Sequence, residues 1–308
     1  MRRNSLQGRV IDGILLLDKP KGITSNQALQ IVKRMYRARK AGHTGSLDPL
    51  ATGMLPICFG EATKFSQFLL EADKQYEVTG KMGIETTTGD EEGEIIAQNS
   101  VPSFTQSMLE TVFSKFVGQI QQIPSMYSAI KKDGQPLYKL ARQGIEIPRE
   151  PRDIHIHHIH YLSHDADSFS ISVSCSKGTY IRTLIEDIGK QLGCGAHVQA
   201  LHRLSVGVYP AEKMKTLGAL ETLSLEPLSE ENRLIMDAYL LPIDSAIENL
   251  PEIVLSEAAI YYLSKGQPVI VPYAPTSGLV RMKRKSGSFL GVGEILEDGK
   301  VAPRRLVA

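Results

Sequence analysis

The sequence predicts a chain of mixed helix and strand, built as one large unit ending near Asn249 and a small β-rich unit after it. Three observations support this. Buried or alternating apolar runs such as Asp12–Leu17 and Tyr76–Ile84 read as strands. Segments with apolar residues three and four apart read as amphipathic helices. After Pro251 the pattern changes to short strands separated by Gly/Pro turns, among them Gly266-Gln267-Pro268, Ser277-Gly278 and Asp298-Gly299.

The elements follow in order. Asp12–Leu17 is a buried strand ending in the turn Asp18-Lys19-Pro20-Lys21-Gly22. Thr24 and Gln27 form a capping box for a helix that turns Ala28, Ile31, Val32, Met35 and Tyr36 inward. Ala41 to Gly60, rich in Gly, Pro and Thr, reads as a loop, and Glu85 to Glu94 as an acidic one. Ser103 to Phe116 is an amphipathic helix closed by Gly118. Gln119 to Pro151 lacks periodicity, and a stretch that long in a compact domain is usually functional or disordered. Ile154–Leu162 and Ser168–Cys175 form a strand pair. Thr179–Leu192 is a helix with Ile181, Leu184, Ile185 and Ile188 inward, and Leu204–Tyr209 is a short strand. The acidic segment from Ala211 to Glu248 is helical and irregular. The tail of about 60 residues reads as a small β-barrel or sandwich.

The chain has 308 residues, of which 42% are hydrophobic and 22% charged, enough apolar material for a real core. That composition excludes wholesale disorder. No run of 18 or more apolar residues occurs, so no membrane-spanning helix is expected. The basic start at Met1 is not followed by an apolar stretch, so no secretory signal is expected. Cys58, Cys175 and Cys194 are odd in number and lack paired spacing, which suits a reducing cytoplasm rather than a disulfide framework.

The net charge of +1 conceals asymmetry. Met1–Ala41, Lys131–Arg152 and Arg281–Arg305 are basic, whereas Ala211–Glu257 is acidic. Basic segments at separate places can meet on one face and hold a polyanion, or each can be an ordinary solvated face. Trp is absent and aromatics make up only 6%, so a long base-stacking platform is not indicated.

The densest chemical signal is the segment from His43 to Leu55, His-Thr-Gly-Ser-Leu-Asp-Pro-Leu-Ala-Thr-Gly-Met-Leu. It sets His43 and Asp48 in a loop stiffened by Pro49. A carboxylate there can act as a nucleophile if a cation keeps it ionised, or it can simply cap an Asp-Pro turn. The second signal is Lys177-Gly178-Thr179-Tyr180-Ile181-Arg182-Thr183, a helix start that could hold an anion, pair Arg182 with Asp48, and lay Tyr180 against a flat ring. The histidines of Asp153–His160 divide between two strand faces, which leaves too few ligands for a metal site. No phosphate loop, dinucleotide fingerprint or nucleophile elbow occurs. The acidic run around Asp90 and Glu91 lacks calcium-loop spacing and reads as solvated, with Asp90 its candidate for a site.

Taken together, these segments resemble the TruB family of tRNA pseudouridine synthases. The resemblance rests on Asp18–Ser25, His43–Leu55, Lys74–Glu77, Thr88–Gly93, Pro124–Ala129, Lys177–Thr183, Gly195–Val198 with Leu201–Leu204, and Val301–Val307, in the family's order across nearly the whole chain. It implies an α+β pseudouridine synthase fold, with a mixed, largely antiparallel sheet flanked by helices. Residues 1–248 would form the catalytic domain, including an RNA-clamping insertion at about 119–151. Residues 249–308 would form a PUA-like domain touching the acceptor end. The substrate would be tRNA, modified at the T-loop uridine called position 55, without a metal or other cofactor. The small C-terminal module and single RNA target fit a monomer, the cysteines fit the cytoplasm, and clamping the arm could also assist tRNA folding.

The resemblance makes Asp48 the catalytic carboxylate. Arg182 pairs with it, and Tyr76 stacks on the flipped uracil and is a candidate for moving a proton. Tyr180 and Leu201 line and close the pocket. His43 helps displace the base, and Asp90 and Lys64 join the substrate-binding set. Asp48 could attack the sugar, attack the base or take the C2′ proton. Three rival readings are a non-catalytic RNA binder, a guide-RNA-dependent relative, and a His43/Asp48 hydrolase acting on a small substrate. An intact Asp48, Tyr76 and Arg182, the missing basic tails, and the unexplained basic segments argue against them in turn.

Overall fold

The computed structural model describes residues 8–128, 130–225 and 228–307. Arg2 and Arg3 of the basic start, Ala129 of the Pro124–Ala129 motif and Glu226 of the acidic segment lie outside the described residues.

The chain opens with β1 (Gly13–Lys19), α1 (Ser25–Met35), β2 (Ala41–His43) and β3 (Thr52–Phe59). A short helix, α2 (Ser66–Glu71), leads to β4 (Lys74–Met82) and the hairpin β5 (Ile84–Thr86) and β6 (Ile95–Gln98). Next come α3 (Gln106–Ser114) and β7 (Gly118–Gln122). Residues 123–151 hold only the two-residue strands β8 (Lys131–Lys132) and β9 (Gln135–Pro136) and the short helix α4 (Leu137–Ala141). Then follow β10 (Arg152–His164), β11 (Ser168–Cys175), α5 (Ile181–Leu192) and β12 (Ala196–Val206). The acidic segment folds as β13 (Lys215–Thr216), α6 (Leu217–Leu223) and α7 (Glu230–Ala238) with irregular turns. The end of the chain is β14 (Glu252–Leu255), α8 (Glu257–Ser264), β15 (Gly278–Arg284), β16 (Phe289–Ile295) and β17 (Val301–Leu306).

Among the described residues the main sheet runs β13-β1-β3-β12-β4-β11-β10-β7, with β2 also paired to β3. It is mixed and largely antiparallel: only β1–β13 and β3–β12 are parallel. The helices follow from local chemistry. The Thr24–Gln27 capping box is formed, and α1 buries Ala28, Leu29 and Val32 while Tyr36 caps its end. The Tyr36 hydroxyl donates to the Met236 carbonyl at 2.8 Å and ties α1 to α7. α5 lays Ile181, Leu184, Ile185 and Ile188 on the sheet. Gly80 on β4 makes room for it, since a Cβ there would meet Phe169 at 2.6 Å and Ile185 at 3.1 Å.

The structure corrects several expectations. Ala41–Gly60 is not one long loop: it contains β2 and the central strand β3, whose last seven residues are all buried and therefore show no alternation. Pro56 sits inside β3 without loss. Its carbonyl accepts from Thr44 N at 3.1 Å, so its missing N–H faces the edge where β3 changes partner from β12 to β2. The strand expected at Leu204 begins at Ala196, and two irregularities in its pairing with β4 break the alternation that would reveal it. Gly118 starts β7 rather than closing α3, whose cap is Lys115. Thr179 and Tyr180 precede α5 instead of lying in its first turn.

The tail is neither a sandwich nor a barrel among the described residues. It is one sheet, ordered β14-β15-β16-β17, covered by α8. Ile260 and Leu263 of that helix join Ile253, Leu255, Val280, Met282 and Val301 in a separate apolar cluster, so a second sheet is not needed to bury the first. This unit meets the rest through Phe65 and Phe289, 5.2 Å apart, and through an ion-pair cluster of Arg281 and Lys283 with Asp244 and Glu252.

α5 and β12 pack backbone to backbone at Gly189. A Cβ on Gly189 would stand 2.2 Å from Ala196 N. Gly189→Ala should therefore destabilise the protein by about 1–3 kcal/mol, because overpacking against backbone cannot relax. This would happen although alanine favours a helix by up to ~1 kcal/mol. Urea unfolding of the two proteins checks the sign.

Candidate active site

The loop between β2 and β3 carries Asp48, and apolar anchors hold it on both sides. Leu47, Leu50 and Ala51 are buried. Ser25 at the start of α1 grips the loop twice: its hydroxyl donates to Leu47 O at 3.0 Å and accepts from Leu47 N at 2.7 Å. Lys19, fully buried at the end of β1, donates to Ile23 O at 2.7 Å, Pro20 O at 2.9 Å and Pro49 O at 3.4 Å. Burial lowers its pKa to about 8, against the pull of Asp48.

Arg182, the second residue of α5, places Nε 3.0 Å from Asp48 Oδ2. The rest of its guanidinium is also engaged. Nη1 donates to Thr88 O and Nη2 to Tyr127 O, both at 2.8 Å. Nη1 also lies 3.6 Å from Asp90 Oδ2. Asp90 is almost wholly buried and accepts from Thr88 Oγ1 at 2.5 Å and Glu92 N at 3.1 Å. Arg182 thus stands between two carboxylates.

Asp48 keeps 41% of its side chain open to solvent, but it sits in a cleft whose walls withdraw much of its water. That desolvation raises its pKa above the ordinary value of 3.8. Arg182 opposes the rise, Asp90 adds to it and Lys19 opposes it. The expected lowering by Arg182 is present but does not win.

Tyr76 lies on β4, flanked in register by Arg203 on β12 and Val173 on β11. Burial raises the pKa of its phenol, opposed by the charge of Arg203. His43 ends β2 half-buried, and its Nδ1 is buried without a partner among the described residues. Burial lowers its pKa, and nearby Arg203 lowers it further, so the imidazole is neutral at pH 7.

Tyr180 is held through its backbone: its N–H donates to Gln122 Oε1 at 2.7 Å and its carbonyl accepts from Gln122 Nε2 at 3.0 Å. Leu201 is directly opposite Val78, and both line a cavity of about 240 Å³ with Leu50, Thr52, Lys21 and His202.

The structure therefore gathers Asp48, Arg182 and Asp90 by direct contact, with the Asp48 charge also felt at Tyr76. Lys64 is elsewhere. It pairs with Glu61 and donates to Leu306 O at 3.1 Å, in a groove with Gln67, Arg304 and Arg305 at the junction with the terminal sheet. Sequence reasoning assigned no role to Lys19, Gln122 or Arg203. For Lys19 the available signal was a lone cation at the end of a largely buried strand, whereas the strand around Arg203 is only half-buried. Gln122 carried no such signal.

The histidines of β10 lie in pairs: His155 is tilted against His157 and His158 stacks on His160, with ring centres 4.8 and 5.8 Å apart. Among the described residues no group of three or more His, Cys, Asp or Glu is arranged to hold a metal. Nor is any helix long and apolar enough to cross a membrane.

Residues 33–181 match the N-terminal domain of the TruB family pseudouridylate synthases. Residues 182–248 match the C-terminal domain of tRNA pseudouridylate synthase B, and residues 251–307 the C-terminal region of pseudouridine synthase II TruB. A tRNA pseudouridine synthase B of Coxiella burnetii is 54% identical over 299 residues, covering 97% of this chain and 96% of the relative. Its namesake in Tolumonas auensis is 54% identical over 310 residues, covering 99% and 95%. Among solved structures, a chain of a Cbf5-Nop10-Gar1 complex superposes with a TM-score of 0.72 at 24% identity, over 96% of this chain and 84% of that one. A chain of the archaeal box H/ACA Nop10-Cbf5 complex gives 0.70 at the same identity, over 96% and 85%. At that identity the likeness is one of fold. With three consecutive matches from residue 33 to residue 307 and relatives more than half identical over nearly full length, the chain belongs to the TruB family of pseudouridine synthases.

Proposed function

We propose that this protein isomerises the T-loop uridine of tRNA, position 55, to pseudouridine, with Asp48 as the reacting carboxylate. The observation that supports this most is the Arg182–Asp48 pair at 3.0 Å in an otherwise water-poor cleft. A carboxylate there gains reactivity from lost hydration while a cation keeps it chargeable.

The reaction breaks the N1–C1′ bond, turns the base, forms C5–C1′, and moves one proton from C5 to N1. Atoms and oxidation state balance within the substrate. Arg182 engages Asp48 through Oδ2 and leaves Oδ1 to meet the ribose or the base. The raised pKa of Tyr76 keeps its phenol protonated at pH 7, so it can donate a hydrogen bond but is a poor base. Its ring, with Tyr180 and Leu201, forms the wall against which the detached uracil turns.

A uridine must leave its stack to reach this cleft, at a cost of a few kcal/mol. His43, half-buried beside the Asp48 loop and neutral, contacts the RNA at the vacated position. Residues 119–151, with exposed Lys131, Lys132, Lys139 and Arg142, grip the T-arm backbone. Residues 249–308 touch the acceptor end. The protein works as a single chain in the cytoplasm.

Three outcomes test this. With a T-arm RNA tritiated at uridine C5, wild type should release label to water, and Asp48→Asn should bind equally well but release it at least ~10²–10⁴-fold more slowly. Binding without release by wild type would leave a tRNA-folding role instead.

The pH profile supplies a second check. Ionised Asp48 is the active form, so the rate should rise with pH through a midpoint above 3.8 and then level off. Arg182→Gln removes the charge that favours ionisation and should move that midpoint up. Asp90→Asn removes a like charge and should move it down.

Third, affinity for the T-arm should fall steeply between about 50 and 200 mM salt. Neutralising Lys131 and Lys132 to Gln should reduce the log–log slope by roughly one to two, as measured by filter binding.

A further inference from the structure

Arg203 is 1% exposed on β12, and none of the described ion pairs includes it. A cation so deep persists where its donors are met by well-placed acceptors. Here those acceptors belong to the candidate active site. Nε donates to Met54 O at 2.7 Å, and Nη2 donates to Gly45 O at 2.8 Å. Gly45 precedes Asp48 in the loop and Met54 follows it on β3, so one guanidinium ties down both ends of the loop.

The strand register adds a third tie. Arg203 is the direct neighbour of Gly53 on one side and of Tyr76 on the other. Its charge also reaches the Tyr76 phenol, where it opposes the rise in pKa that burial causes. Space around it is tight: a Cβ on Gly45 would stand 3.3 Å from Nη1, and one on Gly53 would stand 2.3 Å from Arg203 O.

We propose that Arg203 is a positioning residue for the isomerisation: its planar fork fixes the Asp48 loop against Tyr76 without touching the substrate. The inference rests on the function proposed above. Lysine could not replace it, because a point ammonium cannot span the Gly45 and Met54 carbonyls as a planar fork does. The charge has a second effect in keeping with this placement, since it helps hold His43 neutral.

The test compares wild type, Arg203→Lys and Gly45→Ala in four measurements: single-turnover tritium release, T-arm dissociation constant, thermal midpoint, and His43 imidazole titration by NMR. Arg203→Lys keeps the charge and loses the fork. It should fold, bind RNA within about threefold of wild type and leave the His43 titration in place, yet isomerise roughly 10²-fold more slowly, the cost of an ångström of misplacement.

Wild-type turnover by Arg203→Lys would overturn the proposal. So would a rate loss no larger than its loss of RNA affinity or of folded protein, because that is what a purely structural role predicts. If Arg203→Lys does not fold, Gly45→Ala decides by the same split between rate and binding, since its methyl presses on Nη1. Absence of release by wild type would sink the functional reading and this inference with it. Release by wild type and Arg203→Lys alike would sink only the inference.

Discussion

Arg182 can reach Asp48 because α5 runs back along β12, and β12 is inserted between β3 and β4. α5 has 12 residues and so a length of about 18 Å. Its C-terminal end is pinned where Gly189 touches Ala196, and its middle where Ile185 meets Gly80. Its N-terminal end therefore lies over the far part of β12, where His202 and Arg203 pair with Thr52 and Gly53, and Arg203 with Tyr76. The Asp48 loop leads into Thr52. Four stretches of chain thus arrive at one end of one crossing, and the small residues at the other end decide how closely they meet.

The consequence is a concentration of charge in a place with little water. Lys19, Asp90, Arg182 and Arg203 are all buried. Each such ion costs several kcal/mol of hydration, which has to be offset by hydrogen bonds of good geometry. The offset comes largely from backbone: Ile23, Pro20, Pro49, Thr88, Tyr127, Gly45 and Met54 all give carbonyls to these cations. Backbone acceptors in a packed sheet do not reorient. A site made this way is organised before substrate arrives, which is the condition for electrostatics to act on a reaction instead of relaxing around it. Asp48 alone keeps substantial contact with solvent, as a group that must meet a substrate should.

Parts of this were legible in the residues alone. The helices α1 and α5 follow from capping and from apolar spacing, and β10 and β11 from alternation on a half-buried surface. The His43–Leu55 segment stood out by composition, and the order of motifs along the chain pointed to the family. The strands that build the site were the ones missed. β3 is buried on both faces and carries Pro56, so it has neither alternation nor strand-like composition; β12 loses its alternation at two irregular pairings.

What the sequence determined by itself was local: where the chain can form helices and one-sided strands, and which loop carries an ionisable group between apolar anchors. The tertiary structure decided what that group would feel. It set Arg182 against both Asp48 and Asp90, took Lys64 away to the terminal sheet, and brought Arg203 to Gly45 across 158 residues of chain. Periodicity records which face of a segment is buried. It carries no information on which distant segment does the burying, and the desolvation that raises the Asp48 pKa comes from those distant segments.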